Sequence, residues 1–352
     1  MDRVQQPSSL MGRPGTVKLI DVARMAGVSL ATASRALSSP DLVRGRTRHL
    51  VEEAAARLGY VPHGAARALA SQRTRTIGAV FPPLENPIFA TGTHALGQEL
   101  ERAGYTLLLA EHDNDPAVEL RVARRLIERG VDGLVLIGLA HDPALFELLT
   151  LTGIPYELTW TIDTSGEHFS VGVQHRRAAA ALTHHLLSLG HRRFAVIAGL
   201  LARNDRAADR LLGVRDALSA HGIGLADRQV LQAPFSVSAG ARAMATLLAT
   251  ADRFTALIAA NDPLAIGALL ECSRRGIAIP DDMSIVGFDD VDLAGELDPG
   301  LTTVRVPSAD IGRAAGRRLL ARLAGESVPR VQTMASPLII RASSGRVPGS
   351  RP

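Results

Sequence analysis

From Thr76 onward, short and almost wholly apolar runs alternate with longer stretches of helical periodicity, and this alternation narrows the choice of folds. The apolar runs lie at 77–81, 105–109, 133–137, 194–198, 256–259 and 284–288. Several helical stretches end in a glycine before the next run, as at Gly104 and Gly190, which is a common stop for a helix. Continuous apolar strands separated by helices indicate parallel sheets covered by helices on both faces.

The pattern restarts near residue 170, which predicts two doubly wound lobes. Ligands of such sheets bind beyond the carboxyl ends of the strands, where this chain carries polar and aromatic side chains. The candidate ligand-binding residues are Asn86, Phe89, Asp113, Trp160, Asn261 and Asp289. Carboxylates and amides suit vicinal hydroxyl groups, and an aromatic ring suits a sugar face, so a polyol site is predicted. Two alternatives stay open: core packing for Trp160, and helix capping or strand-end hydrogen bonding for Asn261 and Asp289.

Composition excludes several classes of protein. The chain has 352 residues, 46% of them hydrophobic, which is enough for two or three cores of roughly 100–150 residues. Its one cysteine, Cys272, cannot form an intrachain disulfide, and the first residues lack the apolar run of a secretory signal. No stretch approaches the roughly 18 apolar residues of a membrane span. We therefore expect a cytoplasmic protein.

The positive charge is concentrated at the amino terminus. Residues 1–75 carry 12 Lys and Arg against 5 Asp and Glu, a net charge of +7. The whole chain carries +4, so the remaining residues sum to −3. A basic module joined to a slightly acidic body suggests that the module binds a polyanion, although basic segments can also be merely solvated.

The basic module has the pattern of three short helices. Apolar residues at 19, 22, 23 and 26 form one face of the first helix. Gly27 then suits a helix stop and Ser29 suits the N-cap of a second helix, in which Ala33 and Leu37 are expected to face inward. The third, about 46–58, is expected to bury Leu50, Val51, Ala54 and Leu58 before Gly59 ends it. This arrangement predicts a helix-turn-helix.

The outward face of the second helix fits a DNA groove. Small residues allow close approach, the Ser and Thr hydroxyls can contact phosphates, and Arg35 can pair with guanine. The alternative is a small helical bundle whose polar face only meets water.

The segment 17–37, with the later stretches Leu58-Gly-Tyr-Val-Pro62 and Ala65-Ala-Arg-Ala-Leu69, resembles the lactose-repressor/galactose-repressor (LacI/GalR) family of bacterial transcription regulators. The resemblance extends from about residue 17 to 342. It implies DNA contacts by Leu19, Ile20, Ser29, Leu30, Ala31, Thr32, Ser34, Arg35, Ser38, Thr47, Tyr60, His63, Ala66 and Leu69. Leu30 and Ala31 match the pair on which operator preference largely depends. Ser38 and His63 each stand where the family usually has Asn.

The segment after Pro62 is short and rich in alanine. A helix of about two turns is marginal alone because nucleation is costly below roughly 12–15 residues. We therefore expect it to fold only when paired with its dimer mate on DNA, with an unstructured linker as the alternative. In the family the paired hinge lies in the minor groove, where the leucine matched by Leu69 kinks the duplex.

The resemblance also implies a body like a periplasmic sugar-binding protein, with lobe crossings near 173–176, 303–307 and 334–336. Arg210, Asn261 and Asp289 match polar residues that contact the effector. Gln174-His175 replaces the common Asp-Asn at the first crossing, and Val306 stands where Gln is frequent. The expected boundaries are a disordered tail 1–16, a helix-turn-helix domain 17–61, a hinge 62–75, a ligand-binding and dimerisation domain 76–342 and a tail 343–352. Its N-lobe would comprise 76–174 with 306–334, and its C-lobe 175–305 with 335–342.

The expected fold is therefore α/β, with an all-α helix-turn-helix headpiece, a hinge helix and a two-lobed parallel-sheet body. No Gly-rich phosphate loop, serine elbow or Cys/His pair is present, so neither an enzyme, a cofactor nor a metal site is predicted. The predicted function is a homodimeric regulator, a repressor, that binds a pseudo-palindromic operator and responds to a sugar, polyol or sugar acid. A regulator of the same fold controlled by a protein partner is the alternative.

Overall fold

The computed structural model describes residues 17–38, 40–61, 73–83, 86–112, 115–250 and 253–347. The chain divides into two compact units, Met1–Thr74 and Arg75–Pro352. The predicted tail 1–16, most of the hinge, and residues 348–352 lie outside the described residues.

The first unit contains three α-helices, α1 Leu19–Met25, α2 Leu30–Ser38 and α3 Gly45–Leu58, with a 3-10 turn at Pro40–Leu42. Their core consists of seven buried side chains: Val22, Ala23, Ala33, Ala36, Val51, Ala54 and Ala55. The expected burial of Leu50 is wrong, because its side chain is 44% exposed. The inward stripe of α3 follows 51, 54, 55 and 58, and Leu50 lies about 100° away from Val51 around the helix. In α2, Ala36 is buried and Leu37 is only half-buried.

The second unit has two sheets. The N-lobe sheet has the strand order β11-β5-β4-β3-β1-β2, and all its pairings are parallel. Its strands are β1 Thr76–Phe81, β2 Thr106–Glu111, β3 Gly133–Ile137, β4 Tyr156–Trp160, β5 Ser170–Gly172 and β11 Val331–Thr333. Helices α4 Pro87–Arg102, α5 Pro116–Glu128, α6 Pro143–Thr152 and α12 Ser308–Leu323 cover it. Apolar clusters on both faces explain why β1 and β3 are almost fully buried.

The C-lobe sheet is also parallel and has the order β7-β6-β8-β9. It comprises β6 Phe194–Gly199, β7 Val230–Ala233, β8 Ala256–Ala259 and β9 Ser284–Val286. Its helices are α7 His175–Ser188, α8 Asp205–Ser219, α9 Val237–Ala249, α10 Asp262–Arg274 and the short α11 Asp292–Glu296, with a 3-10 turn at Asp227–Gln229. Two further strands, β10 Thr303–Val304 and β12 Leu338–Ile339, pair antiparallel. The predicted fold class, a helix-turn-helix followed by a two-lobed parallel-sheet body, is confirmed.

The chain passes between the lobes after β5, between β10 and α12, and between β11 and β12. The expectation of a tail from residue 343 needs correction. Ser343 is fully buried, its carbonyl accepts the Ile285 N–H at 2.9 Å, and its Oγ donates to the Ile285 carbonyl at 2.6 Å. The small polar residues suggested a tail, but their backbone groups hydrogen-bond to the outer edge of β9, a strand that is fully buried. Among the helices of the described segments, none is long and apolar enough to cross a membrane.

Candidate functional site

Helix α2 and the residue before it expose six of the fourteen side chains predicted to contact DNA. Ser29 precedes the helix, and its Oγ accepts the backbone N–H of Thr32 at 3.1 Å, which is an N-cap hydrogen bond. Burial of Ala33 and Ala36 turns the opposite face outward, where Leu30, Ala31, Ser34 and Arg35 are exposed. This face offers apolar contacts, a hydroxyl and a guanidinium, the groups that bind base edges and phosphates.

The remaining predicted DNA contacts are more varied. Ile20 and Ser38 are exposed, whereas Leu19, Thr32, Thr47 and Tyr60 are half-buried. Tyr60 and Leu19 also pack against the core of the first unit, so both have a structural role. His63, Ala66 and Leu69 lie outside the described residues.

A cavity of about 410 Å³ opens between the two lobes of the body. Both lobes line it, through Pro82, Pro83, Asn86, Ile88, Phe89, Trp160, Leu200, Ala202, Asn204, Arg206, Ala207, Arg210, Gln232, Pro234, Phe235 and Asp289. Five of the predicted effector-binding residues are thus brought together: Asn86, Phe89, Trp160, Arg210 and Asp289. A cavity of this size with apolar walls and a few polar groups is typical of a small-molecule site.

Helix starts and strand ends place the polar groups of this cavity. Asn86 caps α4, and its Oδ1 accepts the Ile88 N–H at 3.3 Å. Asn204 caps α8 in the same way, through the Ala207 N–H at 3.2 Å. Arg210 projects from the second turn of α8, and Asp289 follows β9 with a positive φ of 121°. A non-glycine residue in that backbone region is strained, and such residues cluster at functional sites.

Arg210 is fixed by three hydrogen-bonding neighbours and one aromatic ring. Its Nε donates to Nδ1 of His175 at 3.1 Å, and its Nη1 donates to the Ala260 carbonyl at 2.5 Å. Its Nη2 lies 3.4 Å from Oδ1 of Asp289, and its guanidinium carbon stands 4.0 Å from the centre of the Phe288 ring. A guanidinium has five N–H donors, and two of those of Arg210 have no partner among the described residues, so they are available to a ligand.

Asp289 is a buried carboxyl with one oxygen unused. Its Oδ2 has no hydrogen-bond partner among the described residues. Burial raises the pKa of Asp289 to about 7, against the opposing effects of Arg210 and Asn86. A buried polar atom without a partner costs free energy. A ligand hydroxyl that donates to Oδ2 would remove that cost and favour the ionised carboxylate.

Trp160 belongs to an aromatic cluster on the N-lobe side of the cavity. Its ring meets Phe89 and Phe81 edge to face, with centroid distances of 5.4 Å and 6.0 Å. The side chain is 2% exposed, and its Nε1 has no hydrogen-bond partner in the described part of the chain. Trp160 therefore combines both predicted alternatives: it packs in a core and it lines the cavity.

Asn261 does not line the cavity. It is fully buried and caps α10, where its Oδ1 accepts the Leu264 N–H at 3.0 Å, as the capping alternative predicted. Its Nδ2 has no partner within the described residues. Asp113 lies outside the described residues.

The sequence did not indicate several residues at or beside the cavity, among them His175, Arg206 and Phe235. Phe235 packs over Gly199 at the end of β6, so closely that a Cβ on Gly199 would overlap the ring. It lies beyond a carboxyl strand end, since β7 ends at Ala233, and the strand-end rule would have found it had β7 been recognised. No pattern in the sequence indicated the contact between His175 and Arg210.

A second contact between the lobes lies beside the cavity. Gly138 follows β3 with φ +88°, and a Cβ there would overlap Nη1 of Arg206 and Oδ1 of Asp205 from the other lobe. The carbonyl of Gly138 lies 3.0 Å from Nε2 of His141, whose Nδ1 lies 2.9 Å from the Glu119 carboxylate. The lobes therefore meet at a position where a side chain would be strained by the positive φ and would have to displace Arg206 and Asp205.

Comparisons with known proteins agree with both units. The family model for bacterial regulatory proteins of the lacI family matches residues 18–63, and the model for a periplasmic binding protein-like domain matches 183–344. The HTH-type transcriptional regulator MalR of Streptomyces coelicolor is 33% identical over 348 residues, which cover 96% of this chain and 99% of MalR.

Two solved structures are similar over nearly the whole chain. The complex of the transcriptional regulator CelR with cellobiose has a TM-score of 0.70 and 30% identity, covering 94% of this chain and 100% of CelR. The lac repressor dimer bound to operator and the anti-inducer ONPF has a TM-score of 0.84 and 26% identity, with the same coverage.

Proposed function

Since this chain belongs to the lacI family of bacterial regulatory proteins, a family of DNA-binding transcription regulators, we propose that it is a repressor controlled by a small polyhydroxylated effector. The effector is a sugar, polyol or sugar acid that binds in the cavity between the lobes. The observation that carries this proposal is the cavity itself, in which Trp160 Nε1 and Asp289 Oδ2 are left without partners among the described residues.

The chemistry of the cavity fits such a ligand. Asp289 accepts a hydrogen bond from a hydroxyl, the two remaining N–H groups of Arg210 donate to ring or hydroxyl oxygens, and the rings of Trp160, Phe89 and Phe235 cover apolar C–H faces. The related CelR was solved with cellobiose. A concave cavity of about 410 Å³ between the lobes favours a small molecule over a protein partner as the controlling ligand.

DNA binding is assigned to the exposed face of α2. Arg35 would contact base edges, Leu30 and Ala31 would contact thymine methyl groups, and Ser29, Thr32 and Ser34 would contact phosphates. Two copies of the helix in a homodimer would bind the half-sites of a pseudo-palindrome. The related lac repressor was solved as a dimer on operator DNA.

Effector and DNA are linked through the body. A ligand changes operator affinity only if it binds the DNA-competent and DNA-incompetent states with different affinity. Effector binding in the cavity therefore shifts the population of the DNA-competent state, and titration of the operator with and without effector gives the direction of that shift.

Four measurements test the proposal. Selection of bound duplexes from a random library should yield a pseudo-palindromic site, and sedimentation should give the mass of a dimer; a tetramer would contradict the proposed assembly. A thermal-shift panel of sugars, polyols and sugar acids should then identify a ligand, since a compound at 100 times its Kd adds about 2.7 kcal/mol of stability. That compound should change the affinity of the protein for the selected duplex. No stabilising compound, or one without effect on DNA binding, would refute effector control.

A further inference from the structure

His175 stands at the first crossing between the lobes and contacts both of them. It is the first residue of α7 and is 1% exposed. Its Nε2 lies 2.6 Å from the carbonyl oxygen of Trp160 in the N-lobe, and its Nδ1 lies 3.1 Å from Nε of Arg210 in the C-lobe. Its ring stacks on Phe288, the residue that also lies beneath the Arg210 guanidinium.

The two partners determine the protonation of the ring. A carbonyl oxygen only accepts, so Nε2 must carry a hydrogen and donate it to Trp160. The Nε–H of arginine only donates, so Nδ1 must be unprotonated and accept. His175 is therefore a neutral imidazole in one tautomer. Burial and the charge of Arg210 both lower the pKa of His175 well below its usual range, which agrees with that assignment.

We propose that His175 is a positioning residue for the ligand: it holds Arg210 in the orientation in which the guanidinium meets the effector. The inference rests on the proposed effector role of Arg210. Ala260 and Asp289 engage the terminal nitrogens, but Asp289 stands 3.4 Å away and carries a pKa of about 7. The hydrogen bond to His175 is the one that fixes the Nε end of the guanidinium plane.

The anchoring of His175 adds a link between the lobes. Trp160 is the last residue of β4 and has a positive φ of 61°. Its carbonyl holds the imidazole, and the imidazole holds Arg210 of α8. One histidine thus joins the N-lobe aromatic wall to the C-lobe cation of the same cavity.

Two substitutions separate the two hydrogen bonds of the ring. In His175→Asn, the amide Oδ1 takes about the place of Nδ1 and can still accept from Arg210, but the side chain is too short to reach Trp160. In His175→Gln, the amide nitrogen takes about the place of Nε2 and can still donate to Trp160, but no acceptor faces Arg210. If His175 only fills space, both variants should behave alike.

The first test uses the free protein and no effector. In a 15N–1H NMR spectrum, the Nε–H of Arg210, assigned by its loss in Arg210→Ala, should exchange slowly with solvent. We expect His175→Asn to retain slow exchange and His175→Gln to lose it. The matched control is His191→Asn, because His191 is fully buried and bonded to Thr255 and Ser284. It should lower stability and leave the Arg210 signal unchanged.

The second test measures the Kd of the compound with the largest thermal shift in the effector panel. Loss of a hydrogen bond to a charged group is expected to weaken binding by about tenfold or more in His175→Gln. His175→Asn should bind within about threefold of the unsubstituted protein.

A rapidly exchanging Arg210 Nε–H in the unsubstituted protein would overturn the proposal. So would equal effects of Asn and Gln on the signal, or losses of affinity that only follow the losses of thermal stability. The spectrum tests the positioning role by itself, so a panel without any binding compound would count against the proposed effector control alone.

Discussion

Helix α2 and the cavity between the lobes hold their functional side chains in opposite ways. On α2, Leu30, Ala31, Ser34 and Arg35 are exposed and stand on a small scaffold, whose buried core in the described part of the chain consists of seven Val and Ala side chains. In the cavity, Arg210, Asp289, Trp160 and His175 are buried and hydrogen-bonded or stacked on one another or on the lobe cores. Exposed side chains can change without altering the fold, whereas a change in the buried network alters binding and stability together.

The largest expected effect is that of Arg210→Ala. Removing one partner of a buried ion pair typically costs 3–5 kcal/mol, and we expect about 3 kcal/mol because Asp289 can take up a proton. The response of DNA binding to the effector should disappear, while operator binding should remain. Urea unfolding and operator titration measure the two effects. The control is Arg215→Ala. Arg215 lies on the same helix as Arg210, is exposed and pairs with Asp227 of the 3-10 turn, so stability and the effector response should both stay unchanged.

Arg35→Ala should show the opposite behaviour. The side chain is exposed, so the free energy of unfolding should stay within about 0.5 kcal/mol. Discrimination between operator and random duplex should fall by roughly 1–3 kcal/mol, the usual value of a bidentate contact to guanine. Fluorescence anisotropy with both duplexes measures this. Arg57→Ala on α3 removes the same charge, and an equal loss of discrimination there would contradict base contact by Arg35.

Gly138→Ala tests how closely the lobes meet. Residue 138 has a positive φ, and the added Cβ overlaps Arg206 and Asp205. We therefore expect the free energy of unfolding to fall by about 2 kcal/mol. Gly166→Ala is the matched control, because Gly166 has φ +75° and open space around its Cβ position. The difference between the two variants in urea unfolding isolates the collision, which we expect to account for about 1 kcal/mol. Equal losses would mean that the lobe contact is easily displaced.

The smallest effect is the dependence on pH that Asp289 contributes. Its pKa is about 7 in the folded protein, above its usual value near 4. The stabilisation from its bound proton is complete below about pH 4 and is lost as the pH rises through 7. The difference in unfolding free energy between the unsubstituted protein and Asp289→Asn should therefore fall as the pH rises from about 4, and the last part of this fall, about 1 kcal/mol, should occur between pH 6 and 8.

Ionisation of Asp289 should lower stability but raise the affinity for the effector. A hydroxyl donates better to the carboxylate than to the protonated acid, so affinity should rise as the pH increases through 7. Glu157 and Asp262, whose pKa values are raised to about 7 and about 6, are present in both proteins and largely cancel in the comparison. An unchanged pH profile in Asp289→Asn would contradict the role of Asp289.

Sequence alone determined the fold class and the outward face of α2. Both follow from periodicity, because a strand buried on both faces needs a continuous apolar run, and an exposed helix face needs polar or small residues every three or four positions. The strand-end rule also brought Asn86, Phe89, Trp160 and Asp289 to one edge, and the resemblance to the LacI/GalR family added Arg210.

Tertiary structure decided the rest. Strand β7 has only four residues, and one of them is Gln232. Its apolar pattern was therefore too weak to predict a strand, and Phe235 was missed. Asn261 shares the strand-end position of Asp289 but faces the start of α10, and only the local backbone separates capping from ligand contact. His175 joins Trp160 and Arg210, which are 50 residues apart along the chain. Its neutral tautomer is fixed by two hydrogen bonds that exist only after the lobes have packed.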